Sequence, residues 1–340
     1  MYNIQILNYD IKLIMSRLIR YRESLTRFIK DKNSLITDKD INNHIDKSDL
    51  VFPIIALTTM NNQNKKYHLS MQGYYVASAI EFLNTLITIL NIESNIGNNI
   101  ENKNGTLLNN YHILINSAMM SFKYNLDSIK NVHAGEKFTN IILHSMEYFN
   151  EYVKTIMILN TYKPDIIDIK PHHDVINWYI KDNITLIESY KKSQFISKES
   201  IDQYIEYRYT KLCELTIILG WIMGGGDITK VKKLKKTAKY FSIIYKISLD
   251  FDTLEKDIIN INNVNKNKWN MILNYGLQKT YEEFLKYKEK FIEESMTQDI
   301  YTATFKEILD NIDTKIDVII DQTSPDLKST YSSSKGKKKK

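Results

Sequence analysis

Two short segments carry side chains whose types suggest a ligand site. The segment Gly220-Trp-Ile-Met-Gly-Gly-Gly-Asp227 is as rich in glycine as a phosphate-binding loop, but it lacks the Gly-Lys-Ser/Thr ending that supplies a lysine and a magnesium-binding hydroxyl. The favoured interpretation is a helix-ending turn, followed by Asp227 as the N-cap of the next helix. His172, His173 and Asp174 could ligate a metal ion, yet adjacent residues on a helix point in different directions and make poor co-ligands. Neither segment predicts a site on its own.

A single cysteine and a group of tyrosines are the other local candidates. Cys213 has no nearby His or Asp to activate its thiol, so a packed small residue is the favoured interpretation. Tyr204, Tyr207 and Tyr209 lie among basic residues, an arrangement that could stack nucleic-acid bases. Because the chain has 23 tyrosines, the flank of a helix is the better explanation for these three.

The positive charge of the chain is concentrated at its C-terminus. The 340 residues include 46 Lys and Arg against 40 Asp and Glu, a net charge of +6. Five of these lysines lie in the last six residues: Lys335, Lys337, Lys338, Lys339 and Lys340. Without them the count is 41 against 40, so the charge does not indicate a body that binds nucleic acid. We expect a domain over residues 1–322 and a disordered tail over residues 323–340, which is either a solvated end or a weak contact for nucleic acid or an anionic membrane.

The remaining composition narrows the class of protein. At 43% hydrophobic and 25% charged residues, the chain is typical of a globular protein. Only 10 Gly and 4 Pro favour long helices over a β-sandwich or barrel, both of which need many tight turns. One cysteine excludes a disulfide framework and fits a reducing compartment. Without a signal-peptide pattern or a long apolar run, we expect a cytoplasmic protein.

Apolar residues recur at helical spacing along most of the chain. One stripe runs through Val76, Ile80, Leu83, Ile87 and Leu90, a second through Leu212, Leu215, Leu219 and Ile222, and a third through Phe305, Ile308, Ile312, Ile316 and Ile319. Steps of three and four place each set on one helix face. No run of alternating residues predicts strands, so the fold class is all-α.

A series of short segments follows these helices in a fixed order. Between residues 211 and 257 it comprises Lys211, Leu219-Gly220, the turn at residues 224–227 and Tyr245-Lys246. Upstream lie Pro53, residues 81–93 and Lys103-Asn104-Gly105-Thr106. Over residues 45–321 this collinear series resembles the trans-isoprenyl diphosphate synthase (polyprenyl synthetase) family.

The resemblance implies a fold and a chemistry. It implies an isoprenoid-synthase-like single-domain bundle of long helices around a central cavity, assembled as a homodimer or hetero-oligomer. Members of that family join an allylic diphosphate to isopentenyl diphosphate, with two aspartate-rich helices holding magnesium ions that grip the departing diphosphate. Metal ions there stabilise the charge that develops on the leaving group.

The residues at the matching positions depart from that chemistry. The first aspartate motif falls on residues 91–95, where Glu93 is the one acidic residue, and the second falls on residues 249–253, which retain Asp250 and Asp252. Both ends of the second i, i+4 pair are lost. Asp250 and Asp257 are seven residues apart and could share a helix face, but one stripe cannot bracket a metal cluster.

The basic residues that would bind diphosphates are also depleted. Residues 48–53 replace a motif rich in Lys and Arg, and Lys103 is what remains of an Arg-Arg pair. The resemblance leaves Lys211, Lys246 and Lys103 as candidate diphosphate ligands, although a lysine at such a position can equally be a solvated helix residue.

The loss of these acidic and basic residues favours a protein that keeps the fold of the family without its chemistry. We expect a non-catalytic homologue, with no catalytic residues and no cofactor, that acts as a structural or interaction subunit. The alternative is a divergent magnesium-dependent prenyltransferase making polyprenyl diphosphates, with Glu93, Asp250 and Asp252 as metal ligands.

Overall fold

A computed structural model describes ten stretches of the chain: residues 16–32, 39–63, 70–94, 103–129, 135–161, 165–167, 170–181, 183–193, 195–260 and 269–323. The described residues form thirteen α-helices: α1 Ser16–Lys32, α2 Lys39–Lys47, α3 Val51–Gln63, α4 Ser70–Ser94, α5 Lys103–Ile129, α6 Gly135–Thr161, α7 Ile184–Lys191, α8 Lys198–Ile205, α9 Lys211–Met223, α10 Val231–Ile259, α11 Met271–Tyr275, α12 Leu277–Thr297 and α13 Ala303–Thr323. Between them lie strands β1 Ile166–Ile167 and β2 Phe195–Ile196, π-helices Val175–Ile180 and Glu206–Thr210, and the 3₁₀-helix Ile228–Lys230. The chain divides into two compact units.

The first unit, residues 1–161, 210–239 and 292–308, has α9 as its central helix. Every residue of α9 after Lys211 is buried except Glu214. This helix packs against α3 and α6, while α4 packs against α3 and α5. The side chains of residues 52–60 in α3 are also buried, so two helices without a polar face lie at the centre of the unit.

Two glycines determine how α9 packs and where it ends. A Cβ on Gly220 would lie 2.6 Å from the carbonyl oxygen of Ala56 in α3, so only glycine allows this approach of the two helices. Gly225, at φ +83°, follows the end of α9, and Asp227 then accepts a hydrogen bond from the Thr229 N–H at 2.9 Å. The predicted sequence of helix, glycine turn and N-cap is confirmed.

The second unit comprises residues 162–209, 240–291 and 309–340. Its two strands pair antiparallel, with Ile166 opposite Ile196. The five-residue helix α11 is fixed by buried side chains: the Tyr190 hydroxyl donates to the Leu273 carbonyl oxygen at 2.8 Å, and Asn274 Oδ1 accepts from the Ile196 N–H at 2.8 Å. A short helix therefore gains from side chains the stability that its length cannot supply.

The predicted all-α class is confirmed by this element order. Of the apolar stripes, Val76, Ile80, Leu83 and Ile87 are buried on α4, and Phe305, Ile308, Ile312 and Ile316 are buried on α13. The two-residue strands were not expected, because two residues are too few to show alternation. Of the proposed tail, only Thr323 at the end of α13 belongs to the described residues, and the five C-terminal lysines lie outside them.

Candidate functional site

The second aspartate region forms a buried ion pair inside the second unit. Lys246 and Asp250 are one helical turn apart on α10, and their side chains are 4% and 5% exposed. Lys246 Nζ pairs with Asp250 Oδ1 and also donates to the carbonyl oxygen of Trp269 at 3.0 Å. A predicted diphosphate ligand and a predicted metal ligand are thus partners of each other.

The remaining polar atoms of this cluster are engaged by the start of α11. Asp250 Oδ2 accepts from the Met271 N–H at 2.9 Å. The side-chain amide of Asn270 donates to the Asp250 carbonyl oxygen at 2.9 Å and to Asp257 Oδ2 at 2.8 Å. Asp257 Oδ2 also accepts from the Thr253 hydroxyl at 2.7 Å. These carboxylates therefore hold the N-terminus of a helix, where the backbone N–H groups favour negative charge.

Burial dominates the electrostatics of the two aspartates. It raises the pKa of Asp250 to about 6, against the opposing effects of the Lys246 charge and the Met271 N–H. Burial also raises the pKa of Asp257, opposed by its hydrogen bonds from Asn270 and Thr253. A metal ion here would have to displace Lys246 and Met271 from Asp250, so the cluster is a poor fit for a cation.

Asp252 does not converge with this cluster. Two residues correspond to about 200° around a helix, so its side chain leaves α10 on another face from Asp250. It is one-third exposed and pairs with Lys315 on α13 at 2.9 Å. The structure therefore separates Asp250 and Asp252, which the motif frame had grouped as metal ligands.

Two predicted ligands are described through their backbone alone. Glu93 lies in the last turn of α4 and Lys103 is the first residue of α5, and both side chains fall outside the description. Across the described stretches, no group of three or more His, Cys, Asp or Glu side chains could hold a metal ion.

Lys211, in the first unit, is neutralised by acidic neighbours. Its Nζ pairs with Glu214 Oε2 at 3.0 Å, one turn along α9. Both residues line a small cleft together with Tyr148 and Glu151 of α6. Because two carboxylates line this cleft beside one lysine, its charge disfavours an incoming diphosphate.

Glu81 is a further buried acid, and it is not among the predicted site residues. It is fully buried on α4, where Thr85 donates to Oε1 at 3.5 Å, and Oε2 has no hydrogen-bond partner among the described residues. Burial raises its pKa to about 8; the nearby Ser48 hydroxyl opposes this and the charge of Asp49 adds to it. Glu81 is therefore mainly a neutral carboxylic acid at pH 7. Glu81 is the first of residues 81–93, which take part in the resemblance, and this position was the one feature of the sequence that could have identified it.

The local motifs have structural roles. His172 Nε2 is hydrogen-bonded to the Asn274 carbonyl oxygen at 2.8 Å, and Asp174 accepts from the Gln278 N–H at 2.9 Å. Cys213 is buried, and burial raises the pKa of its thiol well above the usual range. Tyr204 stacks on Trp269 with ring centroids 4.2 Å apart. None of these groups is arranged for nucleophilic or metal chemistry.

Comparison with known proteins establishes the fold. No protein-family model and no curated protein sequence matches the chain. Among solved structures it is similar to an FPP/GFPP synthase from Zymomonas mobilis (TM-score 0.53, 9% identity, 91% of this chain and 99% of that one). It is also similar to a geranyltransferase from Legionella pneumophila (0.52, 8%, 90% and 96%) and a geranyltranstransferase from Thermotoga maritima (0.50, 15%, 87% and 97%).

No helix in the described stretches is long and apolar enough to cross a membrane. At 15% identity or less, the similarities carry the architecture and not the activity. The chain has the all-α fold of the isoprenoid synthases.

Proposed function

We propose that this protein is a non-catalytic homologue of the isoprenyl diphosphate synthases that acts as a structural or interaction subunit. The observation that carries the proposal is the use of both Asp250 oxygens inside the protein, one by Lys246 and one by the Met271 N–H. A carboxylate that binds magnesium must present a free oxygen to the ion. In this chain the position instead fixes the start of α11.

The residues present do not fit the magnesium ions that the resemblance implies. Asp250 and Asp252 leave α10 on different faces, and each is paired with a lysine. Lys211 is paired with Glu214, so it supplies little net positive charge for a diphosphate. Losing about 4 kcal/mol of transition-state stabilisation already lowers a rate roughly a thousandfold. We therefore assign no catalytic step to these residues.

A direct assay tests the proposal. Purified protein is incubated with magnesium, labelled isopentenyl diphosphate and allylic diphosphate primers of increasing length, beside an active synthase as the positive control. We expect no product above the no-enzyme background. We also expect the melting temperature to be unchanged by magnesium and diphosphate together, because a ligand bound to the native state would raise it.

The alternative function, a magnesium-dependent prenyltransferase making polyprenyl diphosphates, is the outcome that overturns the proposal. The names of the structural neighbours favour this alternative. It requires chain extension that depends on magnesium and that is lost in an Asp250→Asn variant which still folds. Glu93 and Asp252 would then be the next carboxylates to replace.

For the partner, we propose a second copy of this chain docked on α5 and α6. Five large apolar side chains are exposed there: Met119, Met120, Tyr124, Leu143 and Met146. The buried rings of Phe122 and Phe149 stack with centroids 4.5 Å apart, which joins the two helices. Exposed apolar groups of this size commonly mark interfaces.

The charges beside this surface favour self-association. Lys123 and Asp127 form an exposed pair on α5, and His144 and Glu147 form another on α6. A two-fold interface places the same surface on both partners, so a surface with both signs of charge can complement itself.

The oligomeric state tests this interface. We expect a dimer at micromolar concentration by light scattering, and a monomer after Leu143→Glu. Ile184→Glu is the matched control, since Ile184 is also exposed but lies on α7 in the second unit. A chain that stays monomeric, or a dimer that Leu143→Glu leaves intact, contradicts the proposal, and association with a different protein would replace it by a hetero-oligomer.

The single cysteine supports a cytoplasmic location. Cys213 is a buried free thiol, which persists most easily in a reducing compartment. We propose this location for the protein.

A further inference from the structure

We propose that the start of α10 is a docking surface for anionic lipid bilayers. Residues 227–239 contain six lysines and one aspartate, whereas the rest of the protein outside residues 335–340 contains 35 Lys and Arg against 39 Asp and Glu. The six are Lys230, Lys232, Lys233, Lys235, Lys236 and Lys239, which we call the lysine cluster. All of them belong to the first unit.

The lysine cluster lies on the solvent side of an amphipathic segment. Val231, Leu234 and Ala238 are buried, whereas the lysines are exposed except for the half-buried Lys235. Lys232, Lys236 and Lys239 are spaced by four and three residues, so they form one stripe. An amphipathic helix with four to eight basic residues on its polar face is a pattern that binds anionic lipids.

This charge is in an unfavourable place for stability. The N-terminal end of a helix carries a partial positive charge, which disfavours lysine and favours acidic residues. The first turn of α10 has no acidic residue. Glu294 pairs with Lys236 at 2.8 Å, while Lys232 and Lys233 have no carboxylate partner among the described residues. A cluster that opposes the helix dipole is better explained by an external anion than by folding.

The features of the surface favour a bilayer over a nucleic acid. Residues 227–239 contain no Arg, Asn or Gln, three of the side chains that read base edges with hydrogen bonds. The aromatic rings at the cluster are not free to stack on bases: Trp221 is buried beneath Lys230 and Tyr148 lies under Lys235, with 5.5 and 5.2 Å from each Nζ to the ring centroid. Ile228 is exposed immediately before the lysines, where it could enter the interfacial region of a bilayer.

The test is co-sedimentation of the full chain with vesicles. We expect binding to vesicles of 30% phosphatidylserine in phosphatidylcholine, no binding to phosphatidylcholine alone, and loss of binding in high salt because exposed charges are screened. The variant Lys230→Gln, Lys232→Gln, Lys233→Gln should partition about a hundredfold more weakly, since each lysine near an anionic surface contributes roughly a fivefold factor. Its melting temperature should be equal or slightly higher.

The matched control is Lys170→Gln, Lys191→Gln, Lys192→Gln, three exposed lysines of the second unit, which should bind like the wild type. Both sets are also measured in a chain lacking residues 335–340, which separates the lysine cluster from the basic tail. Equal losses in the two triple variants, complete loss through tail deletion alone, or tighter binding to duplex DNA or RNA than to vesicles would each overturn the proposal. Binding to vesicles of phosphatidylcholine alone that is as strong as binding to the phosphatidylserine vesicles would also overturn the proposal.

Discussion

Asp250 and Glu81 are both buried acids, but their surroundings differ. Asp250, in the second unit, has an ammonium partner on one oxygen and a backbone N–H on the other. Glu81, in the first unit, has a weak hydrogen bond at one oxygen and no described partner at the other. Burial raises both pKa values, to about 6 for Asp250 and about 8 for Glu81.

A buried carboxyl group can be stabilised as a paired carboxylate or remain protonated, and the two acids show one case each. Asp250 belongs to a polar network that also includes Asp257 and Asn270, so its role is structural. Glu81 is neutral mainly because it is buried, and the nearby charge of Asp49, where the resemblance would place a lysine, adds to this effect. We therefore expect removal of the partner of Asp250 to destabilise the protein, and replacement of Glu81 by glutamine to stabilise it at high pH.

The largest effect is expected when Lys246 is removed. Lys246→Met should destabilise the protein by about 3–5 kcal/mol at pH 7, because it leaves Asp250 buried without its cation. Chemical denaturation measured by circular dichroism gives the free energy of unfolding. If the variant does not fold at all, the comparison is made with the double variant below.

The double variant Lys246→Met with Asp250→Leu supplies the control. Replacing both members of a buried pair by apolar residues should recover part of the loss, while the Met271 N–H remains without its Asp250 acceptor. If the double variant is as unstable as Lys246→Met, the ion pair is not the source of the effect.

Glu81→Gln should have the second largest effect, and one that depends on pH. The folded-state pKa of Glu81 is raised to about 8, so its proton stabilises the native state at low pH and this contribution is lost as pH rises toward 8. Glutamine is neutral throughout, so the free energy of unfolding of the variant should rise relative to that of the wild type by about 4 kcal/mol between pH 4.5 and 9.

Asp250 acts in the same direction but over a lower range, from about pH 4 to about 6. Because Asp250 is present in both proteins, its titration cancels, and any change with pH in the difference between wild type and Glu81→Gln belongs to Glu81. The matched control is Glu289→Gln, at an exposed position, measured over the same pH range. A flat difference for Glu81→Gln would show that Glu81 is already ionised at neutral pH.

These two acids also mark what the sequence could predict. Helical spacing predicted the all-α class, and the glycines and Asp227 predicted the end of α9, because each depends on local rules of the backbone. The ion pair between Lys246 and Asp250 could have been predicted from the sequence, since residues i and i+4 are neighbours on a helix. The roles of Asn270 and Met271 could not be predicted, because they depend on tertiary contacts between α11 and α10. The burial of Glu81 likewise depends on the packing of α4.

Asn270→Ala should have an intermediate effect. Its side chain donates to Asp257 Oδ2 and to the Asp250 carbonyl oxygen, and it accepts from the Ile272 N–H as the N-cap of α11. Losing a cap and leaving buried partners unsatisfied costs about 1–3 kcal/mol. Thr253→Val removes one hydrogen bond to Asp257 and should cost about 1 kcal/mol, so the order of the two variants tests whether Asn270 is the centre of the network. Equal losses would contradict that role.

The smallest effect is expected at Asp252, which completes the contrast between buried and exposed carboxylates on one helix. Lys315→Met removes its partner, and both side chains are at least one-third exposed. Water can solvate the remaining carboxylate, so the loss should be below about 1 kcal/mol and should shrink further in 0.5 M salt. Asp250 lies two residues away on α10, and Lys246→Met should keep its large effect in the same salt because buried charges are little screened. If salt removed both effects equally, solvent would reach Asp250, and the carboxylate would be open to the cation that the proposed function excludes.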